Sequence, residues 1–347
     1  MRHITGAAVA AAATCGLTAV TLISCSGVGH SAPIPRVAKT AHHAAGSPSV
    51  SAAPYYVAIS VRFGTATVRR TATGAKIATV RRGRGLRFFA VAAAADDRTF
   101  VLAGQTSSGG HFYRLRLSRN GRPGRLVLTP VPPIPATLGH CPAQLAGLAV
   151  SPGGSLLAAS LLSNCPTGNA GPSEILTVRL ASGRTAARFH PGDGYPMWLS
   201  WTASGGLAYS WTSRQTGIFI IPRATAPGSS PRLLIRGSAS VGRFSEADYP
   251  LITSDGSALF ATVARGSSTF AIAEFSLRGT ARRLLTPPVG NPAQFCGPLW
   301  TDASGSRILT GCGDNSEYEI RNGHLTKLHK PWQLPFYAVP SPPLIAW

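Results

Sequence analysis

The feature that most constrains the fold is a short phrase that recurs about every fifty residues. Each copy consists of an apolar strand, a tight turn rich in Gly, Ser or Asp, and a second apolar strand. The clearest copy spans residues 148–160, and the turns of all copies fall near positions 96, 152, 204, 255 and 304. Repetition at a fixed period in this range is typical of solenoids and propellers.

Each unit continues with two further strands of alternating polarity. Residues 175–180 and 184–189 form one such pair, and residues 271–277 and 280–285 form another. Four antiparallel strands per unit make a propeller blade. The sequence therefore predicts an all-β fold, a β-propeller of about six four-stranded blades, with seven possible if the N-terminal segment holds another strand pair.

Closure of the ring is predicted from the two ends of the chain. Residues 55–80 supply three strands but lack the opening strand of a blade. Residues 336–339, which precede a Pro-rich stretch and the apolar segment 344–347, are predicted to be that missing strand. Pairing of the N- and C-terminal strands removes the exposed edges of the sheets.

The recurring phrase resembles that of WD40-like and TolB-like propellers. Blades of those families open with a strand, the turn Ser-Pro-Asp-Gly or a variant, and Leu-Ala; here the best copy is Ser151-Pro-Gly-Gly-Ser-Leu-Leu-Ala158. The resemblance spans nearly the whole chain after residue 54 and implies the fold, but almost nothing about function. The Trp-Asp dipeptide of true WD40 repeats is absent, so the protein partners of that family are not implied.

The first 25 residues indicate an export signal. A short positive start precedes an apolar run that extends to Ile23 and ends in Leu22-Ile23-Ser24-Cys25. These four residues resemble the lipobox of bacterial lipoproteins, which implies that Cys25 is lipidated and becomes the new N-terminus. An uncleaved anchor helix and a released protein are the alternatives.

The domain organisation follows from this leader. Residues 1–25 are the predicted signal peptide, and residues 26–54, rich in Ser, Ala, Pro and Gly, are a predicted disordered linker. Residues 55–347 are the predicted propeller. We therefore expect an extracytoplasmic protein that is anchored through its lipid to the outer side of the cell membrane.

The charge of the chain is strongly basic, with 33 Lys and Arg against 12 Asp and Glu and a formal net charge of +21. A nucleic-acid binder is expected to cluster its basic residues. The arginines are instead scattered along the predicted strands, and the abundance of Arg, Ala, Gly and Pro is typical of a GC-rich genome. We predict no nucleic-acid partner, and a basic surface that faces anionic wall polymers or lipid headgroups.

The cysteines predict two disulfides. Two of the six belong to the leader, which leaves an even number in an exported domain. One pair flanks the first hairpin of its unit, and the other pair occupies the same places in a later unit. Because antiparallel neighbours bring these ends together, the predicted bonds are Cys141–Cys165 and Cys296–Cys312.

Catalytic motifs are absent from the sequence. It contains no G-x-G-x-x-G, P-loop, G-x-S-x-G, H-E-x-x-H or C-x-x-C pattern. The acidic group Asp314, Glu317 and Glu319 lacks the spacing of an EF-hand, and alternation along a strand explains its two glutamates. The sequence predicts no cofactor and no metal.

An enzyme remains the alternative, a secreted lactonase- or lyase-like propeller with a metal in its channel. The scarcity of acidic residues favours a binding module instead. The enzyme hypothesis requires that carboxylates converge within metal-ligand distance, and the candidates are Asp193, Glu246, Asp248 and Asp314.

The predicted binding surface consists of the loops that join one blade to the next. These loops are predicted at residues 129–144, 190–197, 237–249 and 287–297. We expect a monomeric binding module of the cell envelope, whose partner is another envelope protein or an anionic wall polymer. The candidate contact residues are His140, His190, Asp193, Tyr195, Glu246, Asp248 and Tyr249.

Overall fold

The computed structural model describes residues 53–60, 62–165, 171–212, 216–237, 246–265, 269–286, 296–301, 305–312, 317–321, 324–327 and 344–346. They belong to a compact unit that spans Ser49–Trp347. Among these described residues no helix is long and apolar enough to cross a membrane. The structure consists of strands joined by turns, as the repeat predicts.

The strands form six antiparallel sheets, and each sheet is one blade of a β-propeller. Blade 1 contains β1 (Tyr55–Ser60), β2 (Thr65–Arg70) and β3 (Lys76–Thr79). Blade 2 contains β4 (Arg87–Ala93), β5 (Thr99–Thr106), β6 (Gly109–Arg116) and β7 (Val127–Leu128). Blade 3 has five strands, β8 (Thr137–Leu138), β9 (Cys141–Val150), β10 (Leu156–Ser163), β11 (Pro172–Arg179) and β12 (Thr185–Asp193).

The remaining blades follow the same plan. Blade 4 contains β13 (Tyr195–Trp201), β14 (Leu207–Thr212), β15 (Gly217–Ile221) and β16 (Arg232–Arg236). Blade 5 contains β17 (Glu246–Ile252), β18 (Leu259–Arg265), β19 (Thr269–Phe275) and β20 (Ala281–Leu284). Blade 6 contains β21 (Cys296–Thr301), β22 (Arg307–Cys312), β23 (Glu317–Arg321) and β24 (His324–Lys327), and the last strand is β25 (Ile345–Ala346).

The ring closes through the two ends of the chain, which confirms the predicted pairing of N- and C-terminal strands. β25 completes blade 1 as a fourth strand beside β1, with Val57 opposite Ala346. The Ile59 N–H donates to the Leu344 carbonyl at 2.9 Å and extends this pairing. The prediction that 336–339 is the closing strand is wrong: the buried residues of β25 take that place, and 336–339 lie outside the described residues.

The hairpin between the first and second strands of a blade is built by one repeated turn. In blade 5 the Gly256 N–H donates to the Thr253 carbonyl at 2.9 Å, and Gly256 has φ +73°. The Thr253 hydroxyl accepts the N–H groups of Ser257 and Ala258 at 3.0 and 3.1 Å. Glycine suits this position because other residues are strained at positive φ. In blade 2 the same position is held by Asp97, with φ +55°.

Neighbouring blades are joined by buried hydrogen bonds as well as by apolar contacts. The Trp201 indole N–H of blade 4 donates to the Ala149 carbonyl of blade 3 at 3.3 Å. The Ile252 N–H of blade 5 donates to the Ser200 hydroxyl of blade 4 at 2.9 Å. These bonds satisfy buried polar groups and fix the packing between blades.

The propeller has two rims, to which we give fixed names. The tight-turn rim carries the hairpins between first and second strands and between third and fourth strands, including 94–98, 151–155, 71–75 and 117–124. The inter-blade rim carries the connections from one blade to the next, such as 80–86 and 129–136, and the hairpins between second and third strands.

Candidate functional site

The innermost strands of all six blades surround a cavity of about 210 Å³ in the channel of the propeller. It reaches Pro152 and Ser254 at the tight-turn rim. Its aliphatic lining includes Leu148 and Leu299. The aromatic residues of the lining are Trp198, Trp201, Tyr249 and Trp300.

A β-bulge shapes this cavity at the same level in blades 2 to 6. In blade 4 the register with β14 shifts between Met197 and Ser200, and in blade 5 the register with β18 shifts between Asp248 and Leu251. A bulge inserts one extra residue, which bends the strand and redirects a side chain. The bulge therefore recurs around the channel, next to residues that line the cavity.

Two aromatic residues at these bulges have strained backbone. Trp198 has φ +53° and Tyr249 has φ +56°, values that bulky residues rarely adopt. Their ring centroids lie 4.3 Å apart with a tilt of 35°. The ring of Tyr249 also packs against the backbone of Gly297, where an added Cβ would lie 3.0 Å from Cδ1. Each strained position costs of order 1–3 kcal/mol, so the surrounding structure holds this pair in place.

The cavity presents a neutral surface. Burial, together with the neighbouring Asp248, raises the pKa of Tyr249 well above its usual range, so its hydroxyl stays protonated at physiological pH. The Asp248 carboxylate accepts the Tyr249 backbone N–H at 2.8 Å. Such a lining suits an apolar or planar group and supplies no ionised nucleophile of its own.

The carboxylates required by the enzyme hypothesis are not brought together among the described side chains. Asp193 ends β12, the outermost strand of blade 3, whereas Asp248 lies on β17, the innermost strand of blade 5. Asp314 and the side chain of Glu246 lie outside the described residues. Within the part of the chain that the structure describes, no group of three or more His, Cys, Asp and Glu side chains could hold a metal.

The acidic group of blade 6 has a structural partner. Glu319 accepts a hydrogen bond at 3.0 Å from Arg307, a residue of the adjacent strand. The side chain of Glu317 and all of Asp314 lie outside the described residues. The described part of this group therefore contributes an ion pair between neighbouring strands.

The predicted contact residues lie towards the inter-blade rim, but most of them are on strands. The prediction of a loop at 190–197 is wrong, because β12 continues through Asp193 and β13 begins at Tyr195, with one residue between them. Likewise β17 begins at Glu246 and includes Asp248 and Tyr249. Strands continue here because a single glycine, Gly194, suffices for the crossing between blades.

Those candidates whose side chains the structure describes do not form one cluster around the channel. Of the seven candidates, Tyr249 lines the cavity. His140 is exposed in the hairpin between β8 and β9, and His190 is exposed on the outermost strand β12. The sequence analysis missed the aromatic lining around Trp198; Trp precedes only the turns near 204 and 304, so the sequence carried a weak signal for it.

A disulfide braces the inter-blade rim of blade 3. Cys141 and Cys165 are bonded, with their Cα atoms 5.1 Å apart. They lie at the ends of the first hairpin, where the Asn164 N–H donates to the Pro142 carbonyl at 2.8 Å. In blade 6 Cys296 lies directly opposite Cys312 in the same kind of pairing. Their side chains lie outside the described residues, so the second disulfide stays a prediction.

The segment 129–140, which connects blade 2 to blade 3, is tied to the rim beneath it. The Ile134 N–H donates to the Gly110 carbonyl at 2.8 Å, and the Ala143 N–H donates to the Ala136 carbonyl at 3.0 Å. At its start the Thr129 hydroxyl donates to the Phe112 carbonyl at 2.9 Å. The exposed residues of this fixed segment include Pro133, Pro135 and His140.

Exposed arginines are concentrated on the inter-blade rim between blades 1 and 2. Arg81, Arg84 and Arg87 are exposed there, and Phe63, in the hairpin between β1 and β2 on the same rim, is 59% exposed. The Arg87 guanidinium donates to the Arg62 carbonyl at 3.2 Å. No Asp or Glu occurs before Asp96 in the chain, and this was the sequence signal for a concentrated positive surface.

Comparisons with known proteins identify the fold. The sequence matches no protein-family profile, and no curated protein matches it significantly. Among solved structures, TolB from Acinetobacter baumannii superposes with a TM-score of 0.51 and 13% identity, over 84% of this chain and 65% of that chain. This chain thus spans less than two thirds of that TolB.

Two further structures are similar at lower TM-scores. A TolB from Agrobacterium tumefaciens has a TM-score of 0.45 and 16% identity, over 79% of this chain and 87% of that one. A protein of unknown function from Desulfotomaculum acetoxidans has a TM-score of 0.47 and 12% identity, over 84% and 98%. The class of protein that the fold defines is the six-bladed β-propeller, and its fold is similar to that of the Acinetobacter baumannii TolB.

Proposed function

We propose that this chain is an exported, lipid-anchored binding module of the cell envelope, which engages an envelope protein or an anionic wall polymer through its inter-blade rim. The observation that carries the proposal is the segment 129–140, which exposes Pro133, Pro135 and His140, is fixed by backbone hydrogen bonds and is followed by the Cys141–Cys165 disulfide. A surface that is already ordered loses less entropy on binding.

Export is supported by the disulfide and by the leader. Disulfides persist in oxidising compartments outside the cytoplasm. The bond between Cys141 and Cys165 therefore agrees with an apolar leader that ends at the lipobox around Cys25. The lipid would hold the propeller on the outer side of the cell membrane, and the linker of residues 26–54 would set its distance from the membrane surface.

The anchor is tested by fractionating membranes of cells that make the Cys25→Ala variant. We expect the variant to leave the membrane fraction or to accumulate with its leader uncleaved. Cys15→Ala is the matched control, because this cysteine lies inside the leader and is removed with it. Membrane attachment and processing that are unchanged by Cys25→Ala would refute lipidation at this residue.

The binding surface is tested by placing a photo-crosslinking amino acid at Pro135 and, in a second strain, at Gly153. Pro135 is exposed on the inter-blade rim, and Gly153 is exposed on the tight-turn rim of blade 3, with open space around it. In intact cells we expect a defined adduct from Pro135 and none from Gly153. Adducts from Gly153 alone would place the partner on the tight-turn rim and would contradict the proposal.

A further inference from the structure

The chain enters the propeller at the tight-turn rim of blade 1, between two turns. The Thr71 N–H of the turn after β2 donates to the Pro54 carbonyl at 3.0 Å. On the other side the Tyr55 hydroxyl donates to the Arg119 carbonyl at 3.4 Å. The ring of Tyr55 packs so closely on Gly121 that an added Cβ would lie 2.6 Å from it. Both turns are therefore fixed around the point where the linker ends.

Both turns carry exposed basic side chains. Arg98 lies beside the second turn, because its carbonyl accepts the Leu117 N–H at 2.8 Å. This surface, which we call the basic face, consists of Arg70, Lys76, Arg98, Arg116, Arg119, Arg122 and Arg125. None of these seven residues forms an ion pair with an acid among the described residues.

Acidic residues offset only part of this charge, through Asp96 beside Arg116 and Asp97 beside Arg98. The first 173 residues contain two acids, Asp96 and Asp97, both in the first hairpin of blade 2. The Asp96 carboxylate is engaged within its own turn, where it accepts the N–H groups of Arg98 and Thr99 at 3.0 and 2.7 Å. Seven basic residues against two acids leave a strong local excess of positive charge.

We propose that the basic face docks on the anionic phospholipid headgroups of the membrane that holds the linker. Position favours the membrane over a wall polymer or a protein, because the face surrounds the residue at which the linker reaches the propeller. The linker predicted at residues 26–54 would span roughly 30 Å as a flexible chain, which would keep the face close to the lipid surface. Basic residues near such a surface are attracted to it over about a Debye length.

Docking in this way has a consequence for orientation. The tight-turn rim of blades 1 and 2 faces the membrane, and the inter-blade rim faces the wall. The inference uses the anchor of the proposed function. It does not depend on the identity of the partner.

The test is hydrogen exchange of the full chain, with its leader, in nanodiscs of phosphatidylcholine and of phosphatidylcholine with phosphatidylglycerol. Residues 70–76 and 117–125 are expected to exchange more slowly in the anionic nanodiscs, and high salt should abolish the difference. Hydrogen exchange measures contact between the basic face and the lipid. Membrane fractionation of Cys25→Ala measures lipidation, so failure of the anchor and failure of the docking surface are distinguished.

Matched variants locate the effect. Arg119→Gln with Arg122→Gln removes two charges from the basic face, and each should cost roughly fivefold in affinity for the anionic surface. Arg81→Gln with Arg84→Gln removes the same charge from the opposite rim and should leave the protection intact. Equal exchange in both lipids, or equal loss from both pairs of substitutions, would overturn the proposal. Protection that appears on 129–140 instead would also overturn it.

Discussion

The two rims of this propeller are stabilised in different ways. On the tight-turn rim one turn recurs, with the Gly154 N–H bonded to the Ser151 carbonyl at 2.8 Å in blade 3 and Gly205 bonded to Thr202 at 3.1 Å in blade 4. No such repeat occurs among the connections of the inter-blade rim that the structure describes. A disulfide braces it in blade 3, an irregular segment covers it at 129–140, and a single residue crosses it between β12 and β13.

The difference shows which parts of the chain the fold constrains, the first hairpins, and which parts are free to vary, the connections between blades. Each first hairpin must reverse the chain in the same narrow space beside the next blade, so its sequence is constrained in every unit. Connections between blades can vary in length without loss of blade packing, and variable loops on a rigid scaffold are where binding residues accumulate. The predictions below test this separation by changing one rim at a time.

The largest effect on stability is expected for the disulfide. The Cys141→Ser, Cys165→Ser double variant opens a loop with a sequence separation of 24 and should lose about 3 kcal/mol of unfolding free energy. Urea unfolding under oxidising conditions measures this loss. The control compares the parent and the variant under reducing conditions, where both lack every disulfide and should unfold at the same midpoint. An unchanged unfolding midpoint would show that the bond does not brace the rim.

The second cysteine pair is tested together with the first. Non-reducing peptide mapping should join Cys296 to Cys312, which face each other between β21 and β22. A bond from either of them to Cys141 would contradict the assignment.

Loss of the Thr253 hydroxyl, which accepts two hydrogen bonds in the repeated turn, should have the next largest effect on stability. Thr253→Val removes the acceptor for the N–H groups of Ser257 and Ala258 and should cost about 1–2 kcal/mol of unfolding free energy. Thr79→Val is the control, since Thr79 is exposed at the end of β3. Urea unfolding of both variants gives the comparison. Equal losses would mean that the turn hydroxyl has no special role.

The smallest effect concerns Asp97, which holds a glycine position of the repeat. Asp97→Gly relieves a positive φ and should stabilise the protein by about 1 kcal/mol. The reciprocal change Gly154→Asp should destabilise it by a similar amount, because Gly154 has φ +68° at the equivalent place. Thermal unfolding of the two variants should shift the melting temperature in opposite directions.

The Asp97→Gly variant should also change how the stability of the protein depends on pH. Burial, and then the neighbouring Asp96, raises the pKa of Asp97 from 3.8 to about 6. Between these values the folded state binds more protons at Asp97 than the unfolded state does, so this residue makes stability fall as pH rises from about 4 to about 6. Asp97→Gly should remove that fall. A pH profile with the same slope in both proteins would contradict the raised pKa.

The sequence was sufficient for the blades because the repeat and the turn chemistry act locally. Ser151-Pro-Gly-Gly154 predicts its hairpin from the residues alone, and the five turns predict the number of blades. The closing strand was misplaced at 336–339 because the choice between two apolar segments depends on pairing with distant residues. Ile345 and Ala346 pair with β1, at the far end of the sequence.

The candidate site was harder to predict, for a physical reason. The bulges that direct Trp198 and Tyr249 into the channel arise where β13 and β17 pair with their neighbours, and no residue pattern marks them. The concentration of arginines also depends on the fold, since Arg70 and Arg119 are distant in sequence and flank the same Tyr55. The disulfide at Cys141 was predictable because its two cysteines enclose one local hairpin.

Binding of the partner by the inter-blade rim can be measured directly. The direct measurement is the Kd of the purified crosslinked partner for two charge-reversed proteins, matched in number of charges. Arg81→Glu with Arg84→Glu alters the inter-blade rim, and Arg119→Glu with Arg122→Glu alters the tight-turn rim. We predict that the first pair raises Kd at least about tenfold, while the second changes it less than about twofold. The reverse pattern would contradict the account.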